Sequence, residues 1–418
     1  MQIVKGMNDI LPPEQKFWEF FLTTAIAALK MFSFLKIDTP ILEFEELFKR
    51  GVGASTDIVE KEMFSFVTKG RDKVALRPEG TAGVARAYIE NGMSSWPQPV
   101  KLFYYGPMFR YEKPQLGRRR QFHQLGAEII GSSDPVSDAQ IIALSWQILD
   151  NLGLQNLSIQ INSVGCLKCR GEYRNLFTDS LCAKVGNLCA DCKNRFKKNP
   201  WRILDCKEVR CQRLTSSSPI QVDYLCSECH DHFRSVLEFL DESDLPYALN
   251  PKLVRGLDYY TKTVFEFVTQ EKNAGAILGG GRYDDLIEFL GGRSAPAVGM
   301  SMGIERIIEI MKQNKIKPRV EDFKIDVFLA QLGDLPKKKA LKLFLDLEKE
   351  GFKVAEAFSK NSLRSQLAIA EKLKIPYALI LGQKEALDGN VILRNLSSGV
   401  QEFFPLCKII EVIKKRIK

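Results

Sequence analysis

Apolar residues recur along this chain with two different periods, and each period marks a different kind of element. Across 101–112 and 120–130 apolar and aromatic residues stand at strand density, separated by a segment that carries Pro114 and Gly117 as breakers. Alternation along a strand then sorts the faces. Met108, Arg110 and Glu112 share one side of the first strand, and Arg120, Phe122, Gln124, Gly126 and Glu128 share one side of the second. Phe109, Tyr111, Leu125, Ala127 and Ile129 form the packing side. A purely structural strand would place Leu or Val where this one places arginine, a ring, an amide and a carboxylate. The polar side is therefore expected to face a polar, partly anionic ligand. By contrast, Phe17, Phe20, Phe21, Thr24, Ala28 and Phe32 fall at spacings of three and four, which predicts an amphipathic helix. Glu19 and Lys30 interrupt that stretch well short of the ~20 apolar residues that span a bilayer, so no membrane partner is expected.

The C-terminal quarter alternates between the two periods. An apolar run at 326–332, a helical pattern at 336–351, a strand-like 352–358, a helical 362–373, and strands at 377–381 and 391–396 predict a small α/β domain. Residues 312–322 separate it as a linker. Composition adds one fact to this division. Of a net charge of +9 in 418 residues, all of it lies in residues 312–418, which hold 22 Lys or Arg against 13 Asp or Glu, while the remainder balances at 38 of each. A basic module beside a neutral body suggests an anionic partner, nucleic acid first, although lysine runs such as 337–339 also serve solubility alone. The first residues lack the ordered basic, apolar and small-residue regions of a secretion signal, so a cytoplasmic location is expected.

Nine of the ten cysteines lie between Cys166 and Cys229, eight of them in the pairs Cys166/Cys169, Cys189/Cys192, Cys226/Cys229 and Cys206/Cys211 and the ninth, Cys182, alone. In a cytosolic chain that spacing suggests zinc over disulfides, with reduced, unligated thiols as the alternative. Three further stretches carry chemistry. Leu76 to Gly83 turns at Pro78 and Gly80 into a helical run that Thr81 is placed to cap, with Glu79 beside it. Leu253 to Thr261 puts Arg255, Asp258, Tyr259 and Tyr260 around Gly256. Gly279 to Asp284 lacks the spacing of a dinucleotide or phosphate loop, so its three glycines are expected to let backbone approach a ligand, with Tyr283 closing the pocket. Gly299 to Arg306 opens a helix with arginine in its first turns.

Arg110-x-Glu112, a basic loop, and Arg120-x-Phe122 together resemble the second signature motif of class II aminoacyl-tRNA synthetases. RGLDYY at 255–260, GPMFRYEKPQ at 106–115 and RRRQFHQLGAE at 118–128 resemble the histidyl-tRNA synthetase family in particular. The resemblance runs from Lys5 to the basic C-terminus. It implies an α+β catalytic domain of the class II type, an antiparallel sheet with flanking helices, over residues 1–322 with a Cys-rich insertion at about 163–240. It also implies a small α/β anticodon-binding domain over 323–418. Residues 36–40 resemble the first class II motif, which implies a homodimer.

The activity implied is that of a histidine–tRNA ligase. Histidine and ATP, with Mg²⁺, give histidyl adenylate and pyrophosphate, and the histidyl group then passes to the 3′ end of the histidine tRNA. By the same match, Arg255 and Arg110 are the catalytic cations. Glu79, Gly80, Thr81, Arg110, Gln124, Glu128, Arg255, Tyr259, Tyr260 and Tyr283 bind histidine. Arg110, Glu112, Arg118, Arg120, Phe122 and Arg306 bind ATP, the adenine lying between Phe122 and Arg306, while Lys113 and Gln115 lie near the tRNA acceptor end. A non-catalytic regulatory subunit of ATP phosphoribosyltransferase has a similar catalytic fold. It usually departs at the catalytic arginines and lacks the C-terminal domain, both of which are present here.

Overall fold

The computed structural model describes every residue except 55, 113–118, 270–274, 321–323 and 418. The chain divides into two compact units, Met1–Val320 and Glu321–Lys418. In the first, eight strands form one sheet in the spatial order Leu35–Lys36, Val100–Phe109, Gln121–Ile130, Ala297–Gly303, Ala276–Arg282, Thr261–Thr269, Leu157–Ser163 and Tyr247–Leu249. The inner pairs are antiparallel, and each two- or three-residue edge strand runs parallel to its neighbour. Such short edges leave few open backbone groups for unwanted pairing.

The hairpin read from the sequence is present, with Phe109 opposite Gln121. Regular strand stops earlier than the apolar pattern implied. Arg110 and Glu112 on one side and Arg120 on the other stand just past the strand ends, although the Arg110 N–H still donates to the Arg120 carbonyl at 2.9 Å. The division of faces holds within the strands but not at Tyr111, which lies past the strand end and is exposed instead of packed. Phe103, Leu125, Ala127 and Ile129 join a core with Trp18, Phe21, Ala25 and Leu29 of the helix Pro12–Met31 and with Ile141 and Ile148 of Pro135–Asn151. Phe21 and Leu29 are fully buried, each worth roughly 1.5–3 kcal/mol of apolar transfer. The other face carries Leu102, Tyr104 and Met108 beside Gln124 and Glu128.

One buried ion pair ties this sheet to its covering helix. Arg282, with no exposed side-chain surface, donates through Nε to Asp138 on Pro135–Asn151 at 3.0 Å and through Nη1 to Asp284 at 3.0 Å. The arginine of the glycine-rich stretch is thus structural.

The cysteine-rich insertion is helical, with Leu167–Cys182, Ala190–Lys198, Val209–Leu214 and Ser227–Glu242 around a core of its own that includes Tyr173, Phe177, Leu181 and Ile203. The helix Ile304–Gln313 runs past Lys312, so the linker begins later than the charge pattern placed it.

The second unit is an α/β sandwich. Its five strands lie in the order Val354–Glu356, Val327–Gln331, Tyr377–Leu381, Asn390–Asn395, Gln401–Pro405, the first three parallel and the last two antiparallel. Alternation fills both faces. Val327, Leu329, Leu379 and Leu381 meet the helices Asp334–Lys349 and Ile409–Ile417, while Phe328, Ala330, Ala378 and Ile380 meet Leu363–Lys372. The helix Gln383–Asp388 and the strand Gln401–Pro405 were not anticipated from the pattern.

Candidate active site

Period two on Gln121–Ile130 sends Glu128 to the polar face, where it is 1% exposed. Three hydroxyls converge on it. Tyr283 OH donates to Oε2 at 2.6 Å, Thr81 Oγ1 to Oε1 at 2.8 Å, and Tyr104 OH to Oε1 at 3.4 Å. Burial pushes the Glu128 carboxyl up to about 8, against the lowering effect of the Tyr283 and Thr81 hydroxyls. Glu79, also buried, spends both oxygens on the helix Thr81–Glu90, accepting from the Thr81 and Ala82 amides at 2.8 Å each. Burial raises its pKa, and those amides together with Arg110 oppose the rise. The capping role expected of Thr81 therefore belongs to Glu79, because Thr81 is the first helical residue and its hydroxyl is committed to Glu128.

Tyr259, Tyr260 and Tyr283 cluster beside this network, ring centroids 4.7 Å apart for Tyr259–Tyr260 and 5.5 Å for Tyr259–Tyr283. Space for the network comes from missing side chains. A Cβ at Gly299 would strike the Glu128 carboxylate, and one at Gly80 or Gly126 would strike the Tyr104 ring. The glycine-rich strand does the same. Gly279 leaves room for the Arg255 guanidinium, and Gly280 and Gly281 pack against backbone of adjoining strands. Those glycines serve close packing of the protein's own groups, a different use from the ligand approach expected of them.

Next to the network opens a cavity of about 840 Å³, whose walls include Arg110, Glu112, Arg119, Phe122, Gln124, Arg255, Glu266, Ser301 and Arg306. Arg255 pairs with Glu266 and lies 5.8 Å from the Tyr260 ring centroid. Arg110 donates to the Pro78 carbonyl at 2.9 Å and stacks on Phe122 at 5.3 Å. The guanidinium on Phe122 is thus that of Arg110, while Arg306 reaches the same cavity from the helix Ile304–Gln313. Neighbouring Glu305 pins that helix to the sheet by accepting the His123 backbone N–H at 2.9 Å. Buried Gln124 Oε1, Arg255 Nε and Ser301 Oγ make no hydrogen bond, and all three residues line this cavity. Unsatisfied buried polar atoms gathered on one wall point to a polar ligand.

Not every residue read from the sequence lines the cavity: of the expected histidine ligands Arg110, Gln124 and Arg255 do, whereas Glu79, Gly80, Thr81, Glu128, Tyr259, Tyr260 and Tyr283 do not. Arg120 lies 3.7 Å from the Tyr111 ring centroid and its backbone N–H donates to the Gly6 carbonyl, whereas Arg119 lines the cavity instead. Lys113, Gln115 and Arg118 lie outside the described residues. Gly299 and Ser301, expected at the opening of a helix, lie on the strand Ala297–Gly303, with the helix starting only at Ile304. Tyr104 and Glu266 escaped the sequence reading. Only Tyr104 carried a signal there, since it stands an even number of positions before Met108 on the same strand. The insertion's share in the site also escaped it: Arg195, Arg202 and Cys206 line the same cavity.

Glu128→Gln is expected to weaken histidine far more than ATP, since a buried ring nitrogen would lose its carboxylate acceptor; equal losses for the two ligands would make Glu128 merely structural. The variant also changes stability with pH. Without histidine, folded Glu128 keeps a proton that the unfolded chain releases above 4.5, so stability falls as pH rises from 4.5 to about 8. Urea melts at both ends of that window should show a smaller difference for the glutamine variant.

The family model described as histidyl-tRNA synthetase matches residues 6–169 and 213–307, leaving 170–212 unmatched, and one described as an anticodon binding domain matches 326–416. The histidine–tRNA ligase of Syntrophotalea carbinolica is 44% identical over 400 residues, 96% of this chain and 94% of that protein. The crystal structure of apo S. aureus histidyl-tRNA synthetase is similar with a TM-score of 0.80 at 32% identity, over 99% of this chain and 100% of that one. An ATP phosphoribosyltransferase regulatory subunit/histidyl-tRNA synthetase from Bacillus halodurans C shares the fold at 20% identity and a TM-score of 0.62, over 90% of this chain and 96% of that one. The regulatory-subunit alternative is the weaker one, because ligase relatives match across nearly the whole length. Likeness to ligases across nearly the whole length of the chain, together with the matching family model, places this chain in the histidyl-tRNA synthetase family.

Proposed function

We propose that the cavity is where this histidine–tRNA ligase activates histidine, and that the observation carrying this is the wall of Arg110, Arg119, Arg255 and Arg306 with Gln124, on the strand that also bears buried Glu128. Histidine would lie with its ring toward Glu128 and Tyr260, which offer partners at opposite edges, and with Tyr259 and Tyr283 beside it. Its ammonium group would meet Glu79, Thr81 and Gln124. The carboxylate oxygen then attacks the α-phosphorus of ATP, the bond to the bridging oxygen breaks, and pyrophosphate leaves. Arg110 and Arg255 neutralise charge at the α-phosphate, Arg119 holds the outer phosphates, and Arg306 faces the adenine. Phe122 supports the adenine. No enzyme nucleophile is required.

Glu112 and Glu266 supply hard oxygen donors on the same wall, the donor type that suits Mg²⁺, which neutralises outer-phosphate charge when bound. Zinc in the insertion is a separate part of the proposal, carried by thiol geometry. The second unit would read the anticodon, with Lys113 and Gln115 near the acceptor end. Histidine-dependent ATP–pyrophosphate exchange by the purified chain is the test, and absence of exchange with any of the twenty amino acids overturns the reading.

A homodimer belongs to the same proposal. Leu35, Ile41, Leu42, Phe44 and Phe66 stand exposed along the edge strand and the small sheet Leu42–Phe44, Lys73–Leu76, Phe64–Val67, an apolar surface of the kind that partners cover. Sedimentation should find a dimer that Phe44→Glu with Phe66→Glu converts to monomer; a monomeric parent chain would remove this interface. Among the described residues no helix is long and apolar enough to cross a membrane, and a cytoplasmic location completes the reading.

A further inference from the structure

The insertion brings its cysteines into two groups of four. Cys166, Cys169, Cys226 and Cys229 form one, Cys189, Cys192, Cys206 and Cys211 the other, and within each group the Sγ atoms all lie within 4.8 Å of one another. The sequence pairs thus combine two by two, and Cys182, exposed, belongs to neither. Disulfides would join sulfurs in pairs at about 2.05 Å. Here Cys166 and Cys169 are 3.6 Å apart, and Cys189 and Cys206 3.9 Å. Four sulfurs at about 2.3 Å from one tetrahedral ion stand ~3.8 Å from each other, which is the zinc geometry.

Backbone amides point at these sulfurs. Cys226 N–H donates to Cys169 Sγ at 3.1 Å, Cys189 N–H to Cys211 Sγ at 3.3 Å, and Cys192 N–H to Cys189 Sγ at 3.4 Å. Donors of this kind orient thiolate ligands and stabilise their charge. The insertion also needs a staple. Its own core is small and includes three thiols of the second group, Cys192, Cys206 and Cys211, and modules of this size seldom hold together on apolar burial alone.

Position gives the two groups different work. The first joins the point where the chain enters the insertion to the start of Ser227–Glu242, where it leaves, so it closes the base. The second closes the loop from which Arg195 and Arg202 reach Asp57 Oδ2 at 2.9 and 3.1 Å, and from which Asn199 donates to Asp258 at 2.8 Å. Cys189 and Cys206 themselves border the nucleotide cavity. This loop falls within residues 170–212, which the family model does not match.

We infer that each tetrad binds one Zn²⁺ as a four-thiolate structural site, and that the second ion positions the cavity wall by holding Arg195 and Arg202 against Asp57. Each ion displaces four thiol protons, so no redox partner is involved. The positioning half rests on the ligase reading; the metal half does not.

Elemental analysis of the full-length chain should find two zinc ions per chain. Cys206→Ser should retain one zinc and raise the KM for ATP several-fold in exchange, with a smaller change in kcat. Cys206→His, which keeps a ligand, should restore both the second zinc and the KM, and it decides the matter if the serine variant does not fold. Cys182→Ser should keep two zincs and parental kinetics. Asp57→Asn should reproduce the KM shift with both zincs in place. Cobalt substitution should give the intense thiolate charge-transfer bands of a tetrahedral site. Metal-free or iron-loaded protein, or a second zinc surviving in Cys206→Ser, overturns the metal sites. An unchanged KM in that variant overturns the positioning role. Two zincs in a chain that performs no exchange would overturn the ligase reading and leave the metal sites standing.

Discussion

Arg255→Ala is expected to lower histidine-dependent pyrophosphate exchange by about 10²–10³-fold, near 3 kcal/mol, the cost of removing one preorganised donor from a developing oxyanion. The loss should fall mainly on kcat, because the charge that Arg255 would meet at the α-phosphate under the proposed function grows in the transition state. Arg255→Lys should recover little, since an ammonium cannot pair with Glu266 and present a second edge to phosphate as a guanidinium does. Melting should change only slightly: Glu266 keeps about a quarter of its side chain exposed and is resolvated when its partner goes. Parental exchange rates in Arg255→Ala would remove it from the chemistry.

Ending the chain after Val320 is expected to leave exchange largely intact and to reduce aminoacylation steeply. Every residue placed at the cavity precedes that point, and the first unit carries its own core. The removed residues 321–418 hold 18 Lys or Arg against 13 Asp or Glu. Residual tRNA binding should therefore depend less on salt, each lost phosphate contact lowering the log–log slope by ~0.7 to 0.9. Aminoacylation and slope matching those of the full chain would show that this unit does not read tRNA and that its charge only keeps the protein in solution.

The two predictions draw on parts that were unequally visible in the residues. Period two alone assigned Glu128, Gln124 and Phe122 to one face and Leu125, Ala127 and Ile129 to the other, since a strand leaves no freedom about which side a residue takes. Alternating helix and strand patterns likewise exposed the C-terminal α/β unit. Sequence spacing could not show what tertiary contact decides. Glu79 caps the helix in place of Thr81 because its carboxylate reaches two amides that only the folded turn aligns. Arg119, and not Arg120, faces the cavity because the strand has already ended there and the alternation with it. Arg195 and Arg202 lie more than a hundred residues from Asp57, and nothing in their local pattern announces that pairing. The cysteines signalled their pairs, but not how pairs distant in the chain would combine.

The glycines that frame the site limit how it can escape an inhibitor. A compound seated against Glu128 and Tyr104 invites resistance by added bulk, and Gly80, Gly126 and Gly299 lie directly against those two side chains. Every amino-acid replacement of glycine adds at least a Cβ, and at these three positions that atom would collide with the Glu128 carboxylate or the Tyr104 ring. Resistance through added bulk there would damage the site before it excluded the drug, so selected variants should arise at neighbouring side chains or through raised expression.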